Sequence, residues 1–261
     1  VSGRFRRRLV ATLSEHRGIA MYDVDAETLR EDGLTRPAPR RPGQALETPA
    51  QPAFPRDAYR ACRTQDQVDA VSVFEALLDG PAAVVVEADR GRGKSSAAGL
   101  AAGSLAAEGE DVLVTAPTHR SAAAVFERAL ELTETLGLLV GAAENRRPRE
   151  IQTSTGGRVR FEKPPNAATV PDSPDVVLVD EAAALPVRVL ERFLDAPRVG
   201  FTTTVHGYEG AGRGFDVRFR DRLAESDHAV HDVHLEDPIR YAPGDPIEVW
   251  AFRALLLDAR P

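Results

Sequence analysis

Cysteine is nearly absent: Cys62 is the only one in 261 residues. A disulfide framework is therefore impossible, and a cysteine-based metal cage is excluded. A lone thiol fits a reducing compartment, and a cytoplasmic location is the expectation. Long apolar runs are missing too. The longest, such as Ala82–Val86, fall far short of the roughly 20 residues that cross a bilayer, so no membrane partner is expected. No secretory hydrophobic stretch opens the chain, where Val1 is soon followed by Arg4, Arg6, Arg7 and Arg8. A start on Val1 in place of Met is what a segment cut from something longer would show. Lysine is reduced to Lys94 and Lys163, and the formal charge of −7 excludes a uniformly basic nucleic-acid binder. What remains, 43% hydrophobic and 28% charged residues, is the composition of a globular protein and not of a disordered one.

Proline punctuates the first part of the chain. Residues 35–56 hold prolines 37, 39, 42, 49, 52 and 55, which reads as an extended linker behind a short basic helical piece over Arg4–Ile19. The expected organisation is an N-terminal extension with linker over 1–58 and one compact domain over 59–261. Within the latter, strand and helix signals alternate. Ala82–Glu87, Asp111–Thr115 and Val176–Val179 are continuous apolar runs, as strands buried on both faces require. Arg198–Val205 and Ala229–Leu235 read as further strands, and a hairpin is expected around Thr155–Arg158. Ser95–Glu108 and Ser121–Leu136 have helical character, and a helix is expected over Pro186–Phe193 with Pro186 in its first turn. Alternation of this kind predicts an α/β fold with a mostly parallel sheet and helices on both faces.

One loop carries the chemistry. Ala88-Asp89-Arg90-Gly91-Arg92-Gly93-Lys94-Ser95 fits the Walker A pattern with Ala in place of its first Gly. A buried strand runs into it and an alanine-rich helix leaves it through Ser96 and Ala97. Small residues let successive main-chain amides converge on phosphate oxygens, and the helix start adds positive potential. Lys94 is placed to pair with β- and γ-phosphates and the Ser95 hydroxyl to ligate Mg²⁺. Arg90 and Arg92 are either phosphate contacts or solvated loop charges. Eighty-six residues further on, Val176–Val179 runs into Asp180-Glu181, a Walker B-like pair. Asp180 is suited to holding the metal through water and Glu181 to polarising an attacking water.

Weaker signals surround this pair. Gln67, on a helix start 27 residues before Lys94, is either an adenine reader or a solvated side chain, with Gln65 as a competitor. Thr118 is a helix cap, a nucleic-acid backbone contact, or both. Thr202–Phe215 packs four glycines with Tyr208, Arg213 and Phe215, which suits a flexible RNA-facing loop. His206, His228, His231 and His234 do not make a convincing metal site. Arg240, in a turn-rich segment, is either an ion-pair partner or an arginine set against the γ-phosphate.

Taken together, Arg90–Ser95, Asp180–Pro186, Gly207-Tyr208-Glu209-Gly210 with Gly212-Arg213, and Pro238–Asp245 resemble the tRNA(Met) cytidine acetyltransferase family over about residues 60–257. That resemblance implies a RecA-like, helicase-type P-loop ATPase module. In the family such a module works beside an acetyltransferase domain that makes N4-acetylcytidine in RNA from acetyl-CoA with ATP hydrolysis. It implies ATP contacts from Gln67, from residues 88–97 and from Arg240, with tRNA and the acetyltransferase domain as partners. Only 11 residues follow Trp250, too few for an acetyl-CoA-binding domain, so the acetyl-transfer site is expected outside this chain. The alternatives are a RecD-like helicase fragment and a scaffold that binds nucleotide without turnover.

Overall fold

The computed structural model describes residues 3–14, 17–34, 45–140, 148–204, 218–239, 241–242 and 244–255. By its contacts the chain divides into two compact units, residues 1–44 with 240–261 and residues 45–239. In the first, helix α1 (Gly3–Ser14) precedes a hairpin of β1 (Ala20–Asp23) and β2 (Thr28–Asp32). A helix over Pro246–Leu255, α9 below, belongs to the same unit.

The second unit begins with α2 (Arg56–Arg60), α3 (Gln65–Phe74) and a 3₁₀ turn (Glu75–Leu78). Strand β3 (Ala82–Ala88), α4 (Lys94–Ala107), β4 (Asp111–Thr115) and α5 (Ala123–Thr135) follow. Next come β5 (Glu150–Gln152), β6 (Arg158–Phe161), α6 (Pro164–Ala167) and β7 (Val176–Val179). The unit closes with α7 (Val187–Phe193), β8 (Arg198–Thr204), α8 (Arg220–Ala224) and β9 (Ala229–Leu235). The seven strands form one sheet in the order β5-β6-β4-β7-β8-β3-β9, parallel except for β5.

Strand alternation sorts the core into two layers. Val84, Val86, Val112, Val114 and Leu178 face one side, where α3, α4 and α5 pack; Ala83, Val85, Leu113, Val177, Val179 and Phe201 face the other, with α7 and α8. Helices therefore lie on both faces of a mostly parallel sheet, as expected. The hairpin lies slightly wider than its sequence signal, with β5 and β6 flanking residues 153–157. Pro186 sits one step earlier than expected: it is the N-cap of α7, with extended backbone, and not a first-turn residue. Part of the proline-rich stretch also packs. Glu75 accepts hydrogen bonds from the amides of Ala53 (2.8 Å) and Phe54 (2.9 Å) and from the Tyr59 hydroxyl, and this draws Phe54 into the core. Residues 35–44 of that stretch lie outside the described residues. Cys62 is buried, and burial pushes its thiol up to about 12.

Two features hold the layers in place and each has a measurable consequence. Helices α4 and α5 approach closely because α4 carries glycine where they cross. A Cβ at Gly99 would stand 2.5 Å from the Val125 carbonyl oxygen. Gly99→Ala gains about 1 kcal/mol of helix propensity, but forcing a methyl against a main-chain carbonyl costs about 1–3 kcal/mol. Crowding wins, so a lower urea midpoint with an unchanged slope is expected. At the amino edge of the sheet, Arg198 donates to the carbonyls of Leu77 (3.1 Å) and Asp175 (3.0 Å) and pairs with Glu110. Beside it Asp111 accepts from Arg158 (2.7 Å) and Arg160 (3.0 Å). Burial pushes the Asp111 carboxyl up, but the two arginines outweigh it and hold the group below its ordinary value. A depressed carboxylate stabilises the fold above its unfolded pKa, and that contribution disappears as pH falls through the folded value. The gap in melting temperature between the parent and Asp111→Asn is therefore expected to be widest near neutrality and to shrink below about pH 4.

Candidate functional site

Because β3, β4, β7 and β8 are parallel, their carboxyl ends share one edge. Ligands bind at that edge in open α/β sheets. Here β8 lies between β3, which feeds the glycine-rich loop, and β7, which feeds the acidic pair.

The loop leaves the sheet at Ala88, a buried β3 residue, so the alanine in the first glycine position meets no positive-φ requirement. Gly91 (φ 82°) and Gly93 (φ 94°) supply the left-handed turns that follow. Gly93 is the N-cap of α4, and no side chain caps the first amides of that helix. Those amides have no intrahelical acceptor, and an uncapped helix start of this kind binds anions. A side chain at Gly93 would be strained by its left-handed backbone at φ 94°, and its Cβ would displace the Gln67 amide, whose Nε2 stands 2.2 Å away. Asp89 and the exposed Arg90 lie on the outer part of the loop, while Arg92 is buried. Ser96 falls in the first turn of α4, and the Ala97 amide donates to the Gly93 carbonyl at 2.9 Å.

Lys94 is 8% exposed and Asp180 is 2% exposed. The Ser95 hydroxyl donates to Asp180 Oδ1 at 3.0 Å, so the loop and the acidic strand meet directly. Asp180 Oδ2 is buried with no hydrogen-bond partner. An orphaned carboxylate oxygen next to a serine hydroxyl is the hard-oxygen donor set that suits Mg²⁺. Among the described residues no group of three or more His, Cys, Asp and Glu side chains forms a metal cage. Magnesium is ordinarily held by one or two carboxylates together with substrate phosphates, so a single acid is enough. Burial pushes the Asp180 carboxyl above the usual carboxylate range, although Thr202, Lys94 and Ser95 all oppose the shift. Burial likewise holds the Lys94 ammonium below the ordinary lysine value, against the pull of Asp180 and Glu181. Glu181 is partly exposed, in the left-handed region at φ 54°.

Three residues in this arrangement were not singled out from the sequence. The β7–β8 register pairs Val179 with Phe201, so Asp180 and Thr202 stand side by side on the α4 face. The Thr202 hydroxyl donates to Asp180 Oδ1 and accepts from the Glu181 amide at 3.4 Å. Three threonines closing a buried strand were the available signal. Thr202→Val keeps the shape but leaves a buried carboxylate short of one donor, at a cost of about 1.5–3 kcal/mol. Urea denaturation is expected to show that loss for valine and to show near-parental stability for Thr202→Ser. The second is Asp66, whose carboxylate accepts from the amides of Glu236 and Asp237, both at 2.7 Å. The third is Ile239, whose amide donates to the Gly91 carbonyl at 3.0 Å. Together they tie the segment after β9 to the loop. Arg240 is the next residue and lies outside the described residues, as does the glycine-rich segment 205–217.

The two glutamines part company. Gln67 is buried beside the loop, where its Nε2 donates to the Gly93 carbonyl at 3.3 Å and its Oε1 accepts from the Arg63 amide. Gln65 is tied to the main chain of Glu47 and to Asp69 instead. Thr118 accepts from the Ser121 amide at 3.1 Å in the turn after β4, and it does not cap α5, whose N-cap is Ala122 with no side-chain capping bond. His228, whose Nε2 lies 2.9 Å from the Ala196 carbonyl, packs apart from His231 and His234 on β9. Among the described residues no helix is long and apolar enough to cross a membrane.

A sequence model of the RNA cytidine acetyltransferase NAT10/TcmA helicase domain matches residues 85–258. The tRNA(Met) cytidine acetyltransferase TmcA of Haloarcula marismortui is 62% identical over 261 residues, covering all of this chain and 34% of that protein. The TmcA proteins of Haloferax volcanii (56% identical, 35% of its length) and Pyrococcus abyssi (37% identical, 32% of its length) also match across the whole chain. The chain thus spans about a third of the length of these relatives. Among solved structures, the large terminase of a thermophilic bacteriophage superposes with a TM-score of 0.53 at 10% identity, over 73% of this chain and 50% of that one. The same terminase in complex with ADP gives a TM-score of 0.52 at 11% identity, over the same shares of both chains. These likenesses establish a shared α/β fold with the large terminase. On the extent of the family match, the chain belongs to the RNA cytidine acetyltransferase family and corresponds to its helicase domain.

Proposed function

We propose that this chain binds and hydrolyses ATP as the helicase-like module of a tRNA cytidine acetyltransferase. The whole enzyme would form N4-acetylcytidine in tRNA, drawing its acetyl group from acetyl-CoA at a site outside this chain. The observation that carries the nucleotide reading is the contact of Ser95 with Asp180 beneath the uncapped start of α4, with Asp180 Oδ2 left over and Lys94 buried alongside. In this reading the loop amides of residues 88–97 and the Lys94 ammonium hold the β- and γ-phosphates. Ser95 and Asp180 hold Mg²⁺, which when bound offsets charge on the phosphate oxygens. Thr202 keeps Asp180 oriented, and Glu181, one residue beyond it at the open edge, orients water and draws on its proton. Gln67 is assigned to the adenine, supported by its place beside the loop at the Gly93 carbonyl. Arg240 is assigned to γ-phosphate charge, supported by the anchoring of its neighbour Ile239 to Gly91. Turnover would then move tRNA or the acetyltransferase domain relative to this unit.

Calorimetric titration with ATP, with and without magnesium, tests the binding step, and phosphate release with and without tRNA tests turnover. Magnesium-dependent binding and tRNA-stimulated release are expected. No binding at millimolar ATP would overturn the nucleotide assignment. Binding without release, even with tRNA and the remainder of the enzyme present, would leave a scaffold.

A further inference from the structure

The unit formed by residues 1–44 and 240–261 has almost no core. Among the described residues, Ile19 and Ala254 are its only buried apolar side chains, whereas it contains nine of the 11 exposed large hydrophobics. The clearest concentration is on the hairpin. Tyr22 and Leu29 are direct cross-strand partners, so they share one face, and they are 59% and 50% exposed. Val24 in the turn and Leu34 just beyond β2 are also exposed, at 77% and 53%. A two-stranded hairpin is marginal in water unless further strands or a packed layer cover one face. In α9, Trp250 Nε1 is buried with no acceptor, a group that native structures ordinarily satisfy. Exposed apolar surface gathered in this way marks a place of association.

We propose that the Tyr22–Leu29 face of this hairpin is a docking surface for the part of the polypeptide that lies outside this chain in the longer members of its family. The choice of occupant follows from length and extent of match. The H. marismortui relative matches this chain from end to end, hairpin included, yet the match takes up only 34% of it. The remaining two thirds are covalently linked and so present at high effective concentration, whereas a second copy must be recruited from solution. The surface would remain even if residues 88–97 held no nucleotide.

The test compares this chain alone with a chimera in which it replaces the matched segment of the H. marismortui relative. Hydrogen–deuterium exchange of β1 and β2 is expected to be fast in the chain alone and about tenfold or more slower in the chimera, with β3 and β8 protected in both. Tyr22→Lys with Leu29→Glu, which keeps an attractive cross-strand pair, should leave the melting of the chain alone unchanged, since both side chains already face solvent, and should abolish the slowing in the chimera. The unaltered relative and its matched segment alone give the same comparison without a junction. Equal exchange with and without the additional polypeptide overturns the proposal, as does protection that survives the double substitution. Protection that instead grows with concentration in the chain alone, alongside a dimer in sedimentation, assigns the face to a second copy and also overturns it.

Discussion

Lys94→Ala is expected to weaken Mg·ATP binding by about a hundredfold or more, the loss that follows when about 3 kcal/mol of charged contact is removed. The size of the effect comes from burial. Lys94 is 8% exposed, so its ammonium meets a phosphate with little water to screen the attraction. It already sits below its ordinary pKa because burial opposes its charge. A bound polyphosphate relieves that opposition, and the relief is part of the binding energy. Alanine forfeits all of it and leaves the phosphates facing Asp180 and Glu181 without the buried ammonium between them. Lys94→Arg is not a rescue, because a planar fork of donors does not reproduce the compact point charge that the lysine ammonium presents to the phosphates. Titration calorimetry decides the matter, with melting of the nucleotide-free variant as the control for folding. Unchanged affinity would remove Lys94 from the site and take the phosphate assignment with it.

The parts of this site that were legible in sequence are those with a local signature. β4 and β7 have the bounds expected of them and β3 differs by one residue, because strands of a buried parallel sheet read as unbroken apolar runs; β9 also has its expected bounds, although it is an exposed edge strand that carries His231, Asp232 and His234. Gly91 and Gly93 were legible because only glycine takes the left-handed turns freely. Thr202 was not, since a threonine at a strand end is ordinary β-propensity until the register with Val179 sets it beside Asp180. Asp66 lies in the first turn of α3, where an acid is ordinary, and only the fold carries residues 236–237 to it across 170 positions. The first unit escaped for the same reason, because it joins two stretches about 200 residues apart and no periodicity spans that gap. Phe54 was hidden among prolines, where a single apolar residue carries no pattern; its place is set by the Glu75 carboxylate.

Glu181→Gln is expected to divide binding from turnover, which Lys94→Ala cannot do. The replacement is isosteric, keeps the main-chain amide that donates to Thr202, and asks no more of the left-handed backbone at φ 54° than glutamate does. What it removes is a charge able to draw a proton from water. Loss of a positioned general base slows a reaction by about 10²–10⁴-fold. Phosphate release should fall by that factor while ATP affinity stays within a few-fold of the parent, because Lys94, Ser95 and Asp180 are untouched. Affinity should even rise slightly, since Glu181 is one of three carboxylates whose charge acts on the phosphate-binding lysine, and that charge repels the nucleotide. Release within twofold of the parent would move the base elsewhere along the edge. Loss of binding instead would mean that Glu181 holds the site together rather than acting on water. The two variants thus give opposite signatures, one failing to capture nucleotide and the other retaining it without cleaving it. Only a site in which the cradle and the acidic strand have separate tasks yields both.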